Sequence, residues 1–223
     1  MNDILLPPNF SPLGQIMNLT KQVDSSHYEF QSYMDKGRWT SVWHQLDEVI
    51  KLKPDKVLEI GPGPGLFKKL AGQFNVKVET LDLDPELNPD HVGSALALPF
   101  DDATYDVVCA FQMLEHLPYS DALLAFKDMV RVSRRHVVIS LPDSERVNRV
   151  QVQIPKIAAF DRLIPKRGSK PEEHRFDGEH YWEINKLDYL LEKVTKDLSS
   201  ICRLVKTYRV KENPYHRFFI FDK

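Results

Sequence analysis

The stretch LEIGPGPGLF, residues 58–67, places three glycines at alternate positions directly after an apolar run. A glycine loop at the end of a strand lets the backbone take left-handed turns and approach a ligand closely, an arrangement that several nucleotide-type cofactors use. Two cofactor classes can be weighed on the residues alone. A P-loop ends in Gly-Lys-Ser/Thr, whereas Gly65 is followed by Leu66 and Phe67, which excludes ATP or GTP bound in that manner. A nicotinamide or flavin loop follows G-x-G-x-x-G/A, with a small third residue so that helix and strand pack closely. Counted from Gly61, Gly63 fits and Leu66 breaks the pattern.

The rest of the chain alternates between the two periodicities. Apolar residues Val42, Leu46, Val49 and Ile50 recur at helical spacing over 39–52, and Pro54 ends that helix. Strands are predicted at 56–60, 76–84, 105–111 and 136–142. A helix opens at Leu66. Another follows Ser120 as N-cap, with Leu124, Met129 and Val130 facing inward. Such alternation predicts a doubly wound parallel sheet with helices on both faces. Residues 185–198 read as an amphipathic helix, with Asn185 and Asp188 at capping-box-like spacing. Two late strands, 202–210 and 216–223, form a closing hairpin that puts an antiparallel strand into the sheet.

Two segments stand outside this pattern. Residues 1–38, punctuated by Pro7, Pro8 and Pro12, read as an N-terminal arm or lid on a domain spanning 39–223. Residues 143–184 carry Pro155, Pro165 and Pro171 and end in GEHYWEI. They read as a cap inserted near the carboxyl edge of the sheet, where open α/β folds bind ligands.

Charge narrows the partners. With 30 basic and 32 acidic residues the net charge is −2, which argues against nucleic acid as a partner. Lys156, Arg162, Lys166, Arg167 and Lys170 make the insertion locally basic, and a solvated surface is the expected reading. Cys109 and Cys202 sit in no metal-type spacing and are expected to be reduced and buried. No basic leader or membrane-length apolar run is evident, so a cytoplasmic protein is expected. No metal constellation is evident, and the sequence does not speak to oligomeric state.

The segment VLEIGPGPG resembles the E/D-x-G-x-G-x-G signature of class I S-adenosylmethionine (SAM)-dependent methyltransferases, of the type 11-like family. LDLDPE (81–86) resembles the end of that family's second strand, and GSALALPFDDATYDVVCAFQMLEHL (93–117) its G-D-A-x-x-L-P-F…L-E-H stretch. The match covers roughly residues 55–142. It implies a Rossmann-like sheet of seven strands with an antiparallel last strand, and SAM as cofactor. Gly61, Gly63 and Gly65 would let the backbone approach the cofactor, and Glu59 would orient its amino-acid end. Asp82 would accept both ribose hydroxyls, since a carboxylate accepts and does not donate. Asp84 would cap the next turn. Leu83, Ser94, Ala95, Leu96, Ala110, Phe111 and Gln112 fall on the remaining cofactor-lining positions. The family's usual aspartate is Ser94 here, which predicts a weaker bond to the adenine amino group.

The resemblance implies methyl transfer to an oxygen or nitrogen of a small-molecule or glycan acceptor. One of His180 and Tyr181 of GEHYWEI is expected to contact the acceptor, His180 or Tyr181 serving as proton acceptor, with His116 beside them; Trp182 and Glu183 share the segment. Glu115 is expected to stay solvated or cap a helix. Arg38, with Tyr28 and Tyr33, would fold over the cofactor, its guanidinium reaching the methionine carboxylate. Three alternatives remain open: a nucleotide-dependent oxidoreductase, a SAM- or S-adenosylhomocysteine (SAH)-binding regulator without turnover, and an RNA or protein methyltransferase.

Overall fold

The apolar runs and amphipathic segments assemble around one mixed sheet in a computed structural model that describes residues 30–223. Tyr28 and most of the arm at 1–38 lie outside the described residues. Five strands run parallel: β1 (Lys56–Ile60), β2 (Lys77–Asp82), β3 (His91–Val92), β4 (Tyr105–Phe111) and β5 (Ser133–Pro142). A hairpin, β6 (Val147–Ile154) and β7 (Ala158–Pro165), forms a separate two-stranded sheet. β8 (Arg203–Arg209) and β9 (His216–Asp222) complete the main sheet in the order β3-β2-β1-β4-β5-β9-β8. β9 is antiparallel to both neighbours, as the closing hairpin predicts.

YDVVCAF is buried along its whole length because both faces of β4 are covered, which is why the run is continuous rather than alternating. Val107, Cys109 and Phe111 pack under α2 (Lys36–Lys51) and α3 (Leu66–Gly72). Tyr105, Val108 and Ala110 point to the opposite face, beneath α4 (Tyr119–Val132) and α5 (Leu191–Ser199). Phe218, Phe219 and Phe221 on β9 are wholly buried, each contributing roughly 1.5–3 kcal/mol of transfer free energy. Cys109 and Cys202 are both free and buried, as expected.

Several local expectations change. A one-turn helix, α1 (Phe30–Tyr33), precedes α2. α2 starts at Lys36 rather than residue 39 because the Asp35 side chain accepts from the Arg38 N–H at 2.7 Å and caps it. α4 starts at Tyr119, so Ser120 lies inside the first turn and is not the cap. Its buried stripe is Ala122, Ala125, Phe126, Met129 and Val132, while Leu124 is 60% exposed. α5 begins six residues after Asn185, whose side chain instead reaches forward to accept from the Leu191 N–H. No helix among the described residues is long and apolar enough to cross a membrane.

The excursion at 143–184 leaves the carboxyl end of β5 and returns to it. Asp143 bridges Ile184, and the Ile184 N–H donates to Pro142. Trp182, 2% exposed, donates its indole N–H to the Leu117 carbonyl at 3.1 Å and packs edge-on against Tyr119. That side chain pins the end of the excursion to the core.

Candidate active site

Chain reversal at the end of β1 requires its glycines. Gly61, Gly63 and Gly65 have φ of 67°, 53° and 69°, in the left-handed region. Gly61 donates its N–H to Leu81, tying the loop to β2. A Cβ on Gly61 would lie 2.5 Å from Met113 Cγ, so space and φ both demand glycine there. Gly65 then takes the N-cap position of α3.

A cavity of about 320 Å³ opens over this loop at the carboxyl ends of β1, β2 and β4. Glu59, Gly61, Gly63, Asp82, Phe111 and Gln112 form its floor, so much of the expected cofactor set converges there. Arg38 and Tyr33 close one side, the guanidinium 4.1 Å from the Tyr33 ring centre. Across the mouth stand His116, Glu179, His180, Tyr215 and His216. Gly65, Leu83, Ser94, Ala95, Leu96, Ala110 and Tyr181 do not line it. Ala95 and Leu96 pack on the core, and the Ser94 hydroxyl accepts from the Leu96 N–H at 3.2 Å. Ala110 is buried within the sheet, and Leu83 is exposed. Tyr181 stacks at an angle on Phe176, their ring centres 4.6 Å apart.

The carboxylates have distinct electrostatics. Glu59 is 3% exposed, and its Oε2 has no hydrogen-bond partner. Burial pushes its carboxyl up to about 8, against the lowering effect of the Lys68 charge and N–H. Asp82 is also raised by burial, opposed by the Asp84 N–H that donates to its Oδ1 at 2.9 Å. Asp84 caps the turn Pro85–Leu87 as expected, accepting from Glu86. Gln112 is held at φ 54° by its own N–H to the Ser140 carbonyl, an unusual conformation for a non-glycine residue at a strand end.

The far wall is a polar network. The Asp177 carboxylate accepts from the N–H groups of Glu179 and His180, shaping the turn that presents His180. His180 Nδ1 lies 3.1 Å from Glu183 Oε1, and the Tyr215 hydroxyl donates to the same carboxylate. Burial opposes ionisation of both His180 and Glu183. Their mutual bond prevails, raising the imidazole and lowering the carboxyl. The His116 and His180 rings meet edge-to-face at 5.1 Å. Glu115 corrects the expectation of a solvated residue: it is fully buried behind them, neither oxygen has a hydrogen-bond partner, and its carboxyl is pushed up to about 8 by burial.

Residues 30–193 match the protein family described as "Methyltransferase domain". The chain belongs to that family. The class I SAM-dependent methyltransferase resemblance drawn from the sequence is borne out, and the fold agrees. The same fold recurs in a protein from Pyrococcus horikoshii OT3 (15% identity, 90% of this chain and 99% of that chain covered, TM-score 0.57). It recurs in the 1,6-didemethyltoxoflavin-N1-methyltransferase of Burkholderia thailandensis, solved with SAH (14% identity, 89% and 87% covered, TM-score 0.55). The magnesium protoporphyrin IX methyltransferase of Synechocystis PCC 6803, solved with bound SAM, also shares it (15% identity, 84% and 80% covered, TM-score 0.54). At these identities the likeness speaks for the fold. No curated protein sequence matches the chain.

Within this methyltransferase domain, sequence reasoning missed Glu179, Tyr215 and His216. His216 is 4% exposed, with Nδ1 unpartnered, and burial lowers its imidazole to about 3. Tyr215 ends the β8–β9 turn and His216 opens β9, far from the motifs in sequence, and no local pattern marks them. Burial of Glu115 carried a faint signal: it comes shortly after the largely apolar β4 run, next to Leu114 and two residues before Leu117.

Proposed function

We propose that this methyltransferase uses SAM and acts on an oxygen or nitrogen of a small-molecule or glycan acceptor. The observation that carries the reading is the buried Glu59 carboxylate, whose Oε2 has no hydrogen-bond partner, in the floor of a cavity it shares with Asp82 and the glycine loop. A buried acceptor without a donor calls for a cationic or N–H-bearing ligand group, and the ammonium of SAM is one. When bound, SAM supplies a methyl group activated on a sulfonium. Glu59 would hold the ammonium and Arg38 the carboxylate. Asp82 would accept the ribose hydroxyls, and Phe111 and Gln112 would shape the wall. Gly61, Gly63 and Gly65 would keep the loop backbone close, with Leu83, Ser94, Ala95, Leu96 and Ala110 supporting the adenine side.

His116 and His180 would orient the acceptor, Tyr181 bracing their segment. Orientation of this kind can supply about 7–11 kcal/mol of barrier reduction. Residues up to 38 would serve as the lid and 143–184 as the acceptor cap on the 39–223 domain. Two unpaired cysteines suit a reducing compartment, the cytoplasm. Calorimetric titration with SAM, SAH and NADH tests the reading. Micromolar-range SAM or SAH binding without NADH binding is expected, and NADH binding without SAM would overturn it.

A further inference from the structure

One carboxylate oxygen of Glu115 and one ring nitrogen each of His116 and His180 lie within 4.8 Å of one another. Ligand atoms about 2.0–2.2 Å from a common tetrahedral ion lie roughly 3.3–3.6 Å apart, so side-chain shifts of up to about 1 Å would close the set. Glu115 supplies the second, independent observation. Its carboxylate is wholly buried, and neither oxygen accepts a hydrogen bond. Carboxylates are not kept dry without a partner unless something else satisfies them.

The surroundings match what a metal centre requires. His116 Nδ1 lies 3.2 Å from the Glu179 carbonyl, which fixes a proton on Nδ1 and the lone pair on Nε2. Glu183 does the same for His180 Nδ1. Each imidazole thus has the outer partner that orients a metal-binding histidine. Both rings border the cavity, where further ligand positions can be filled by water or by a substrate oxygen. A second group, Asp177, His180 and Glu183, is equally close. Its acids are already engaged, Asp177 by two backbone N–H groups and Glu183 by His180 and Tyr215.

We infer that Glu115, His116 and His180 form a divalent-cation site at the acceptor end of the cavity, open on one side to an oxygen ligand. Two imidazoles and one carboxylate favour a first-row transition ion such as Zn²⁺ or Mn²⁺ over Mg²⁺ or Ca²⁺. The ion's place beside the acceptor rests on the methyl-transfer reading; its binding does not. In that setting the two histidines act as ligands rather than proton acceptors, and the acceptor class narrows to hydroxyl or carboxylate oxygens that can complete the ion's coordination.

The test uses the untagged full chain, stripped with EDTA, dialysed, and titrated by calorimetry with ZnCl₂, MnCl₂ and MgCl₂. One Zn²⁺ or Mn²⁺ per chain is expected, with Mg²⁺ at least about 10-fold weaker. Glu115→Gln, His116→Gln and His180→Gln should each weaken binding by at least about 10-fold, with unchanged circular dichroism. Asp177→Asn, which keeps the Oδ1 that accepts from both Glu179 and His180 N–H groups, should bind as wild type does. Acetohydroxamate, a bidentate oxygen chelator, should bind the Zn²⁺-loaded chain and not the stripped one. Asp82→Ala should retain the ion while binding SAM about 10- to 100-fold more weakly, which separates failure of this site from failure of the cofactor reading. Absence of stoichiometric binding by folded wild type, wild-type binding by Glu115→Gln, or loss in Asp177→Asn alone would each overturn the site. Hydroxamate binding that ignores the ion would overturn its open position.

Discussion

Glu59→Gln separates what the fold tolerates from what the cavity is built to hold. In the unfolded chain this carboxyl titrates near its ordinary value of 4.5, and in the folded chain burial moves it to about 8. A carboxyl raised by folding binds more protons in the native state, so it lowers stability as pH climbs from 4.5 towards 8. The full displacement corresponds to about 5 kcal/mol above pH 8, and about 3 kcal/mol of it is in force at pH 7. Glutamine keeps the shape and removes the charge, at a cost of about 1 kcal/mol for its own imperfectly bonded amide. The variant without ligand should therefore gain about 2 kcal/mol at pH 7, a rise in Tm of roughly 4–8 °C for a chain of this size. At pH 5 the gain should vanish. SAM affinity should fall by about 10- to 100-fold, the worth of one charge-assisted hydrogen bond. Differential scanning calorimetry at pH 5, 7 and 8, with calorimetric SAM titration, checks both halves. A variant no more stable than wild type at pH 8, or one that keeps full SAM affinity, would refute the reasoning.

Other outcomes follow from single positions. Asp82→Ala should leave the circular dichroism spectrum unchanged and weaken SAM binding by about 1.5–3 kcal/mol; equal affinity by titration would remove Asp82 from the ribose site. His180→Ala should impair methyl transfer more than SAM binding, as read from turnover and titration on one preparation. Gly61→Ala should destabilise by about 2 kcal/mol or more in urea melts, because it meets Met113 at positive φ. Met113→Ala should relieve the steric part. Trp182→Ala should cost about 3–5 kcal/mol and loosen residues 177–184 in hydrogen exchange.

What could be read in advance tracks how local the signal is. KVLEI and YDVVCAF coincide with β1 and β4, because burial on both faces leaves runs that are apolar apart from Lys56, Glu59 and Asp106. The antiparallel β9 was legible from the closing hairpin. The β6–β7 hairpin was not, although Val150, Val152 and Ile154 alternate with polar residues. Nearby prolines and charges masked a ribbon that lies outside the core and is largely exposed. Leu124 was misplaced because α4 begins at Tyr119, just after Pro118, and Leu124 falls off the stripe set by Ala122, Ala125 and Phe126. Within the site, Glu59 and Asp82 followed from the resemblance of VLEIGPGPG and LDLDPE to the family's motifs. The burial of Glu115 and the arrival of His216 depend on contacts between distant segments.

β9, the last described strand in chain order, lies between β5 and β8 rather than at an edge. During synthesis, the nascent chain up to Asn213 therefore carries a long unpaired β5 flank, with Val137, Val138 and Ile139 waiting for Phe219, Ile220 and Phe221. Such a flank is a template for pairing with another chain. A stalled or prematurely terminated translation product would be prone to self-association, and holdase chaperones would be needed most in the interval before β9 leaves the ribosome.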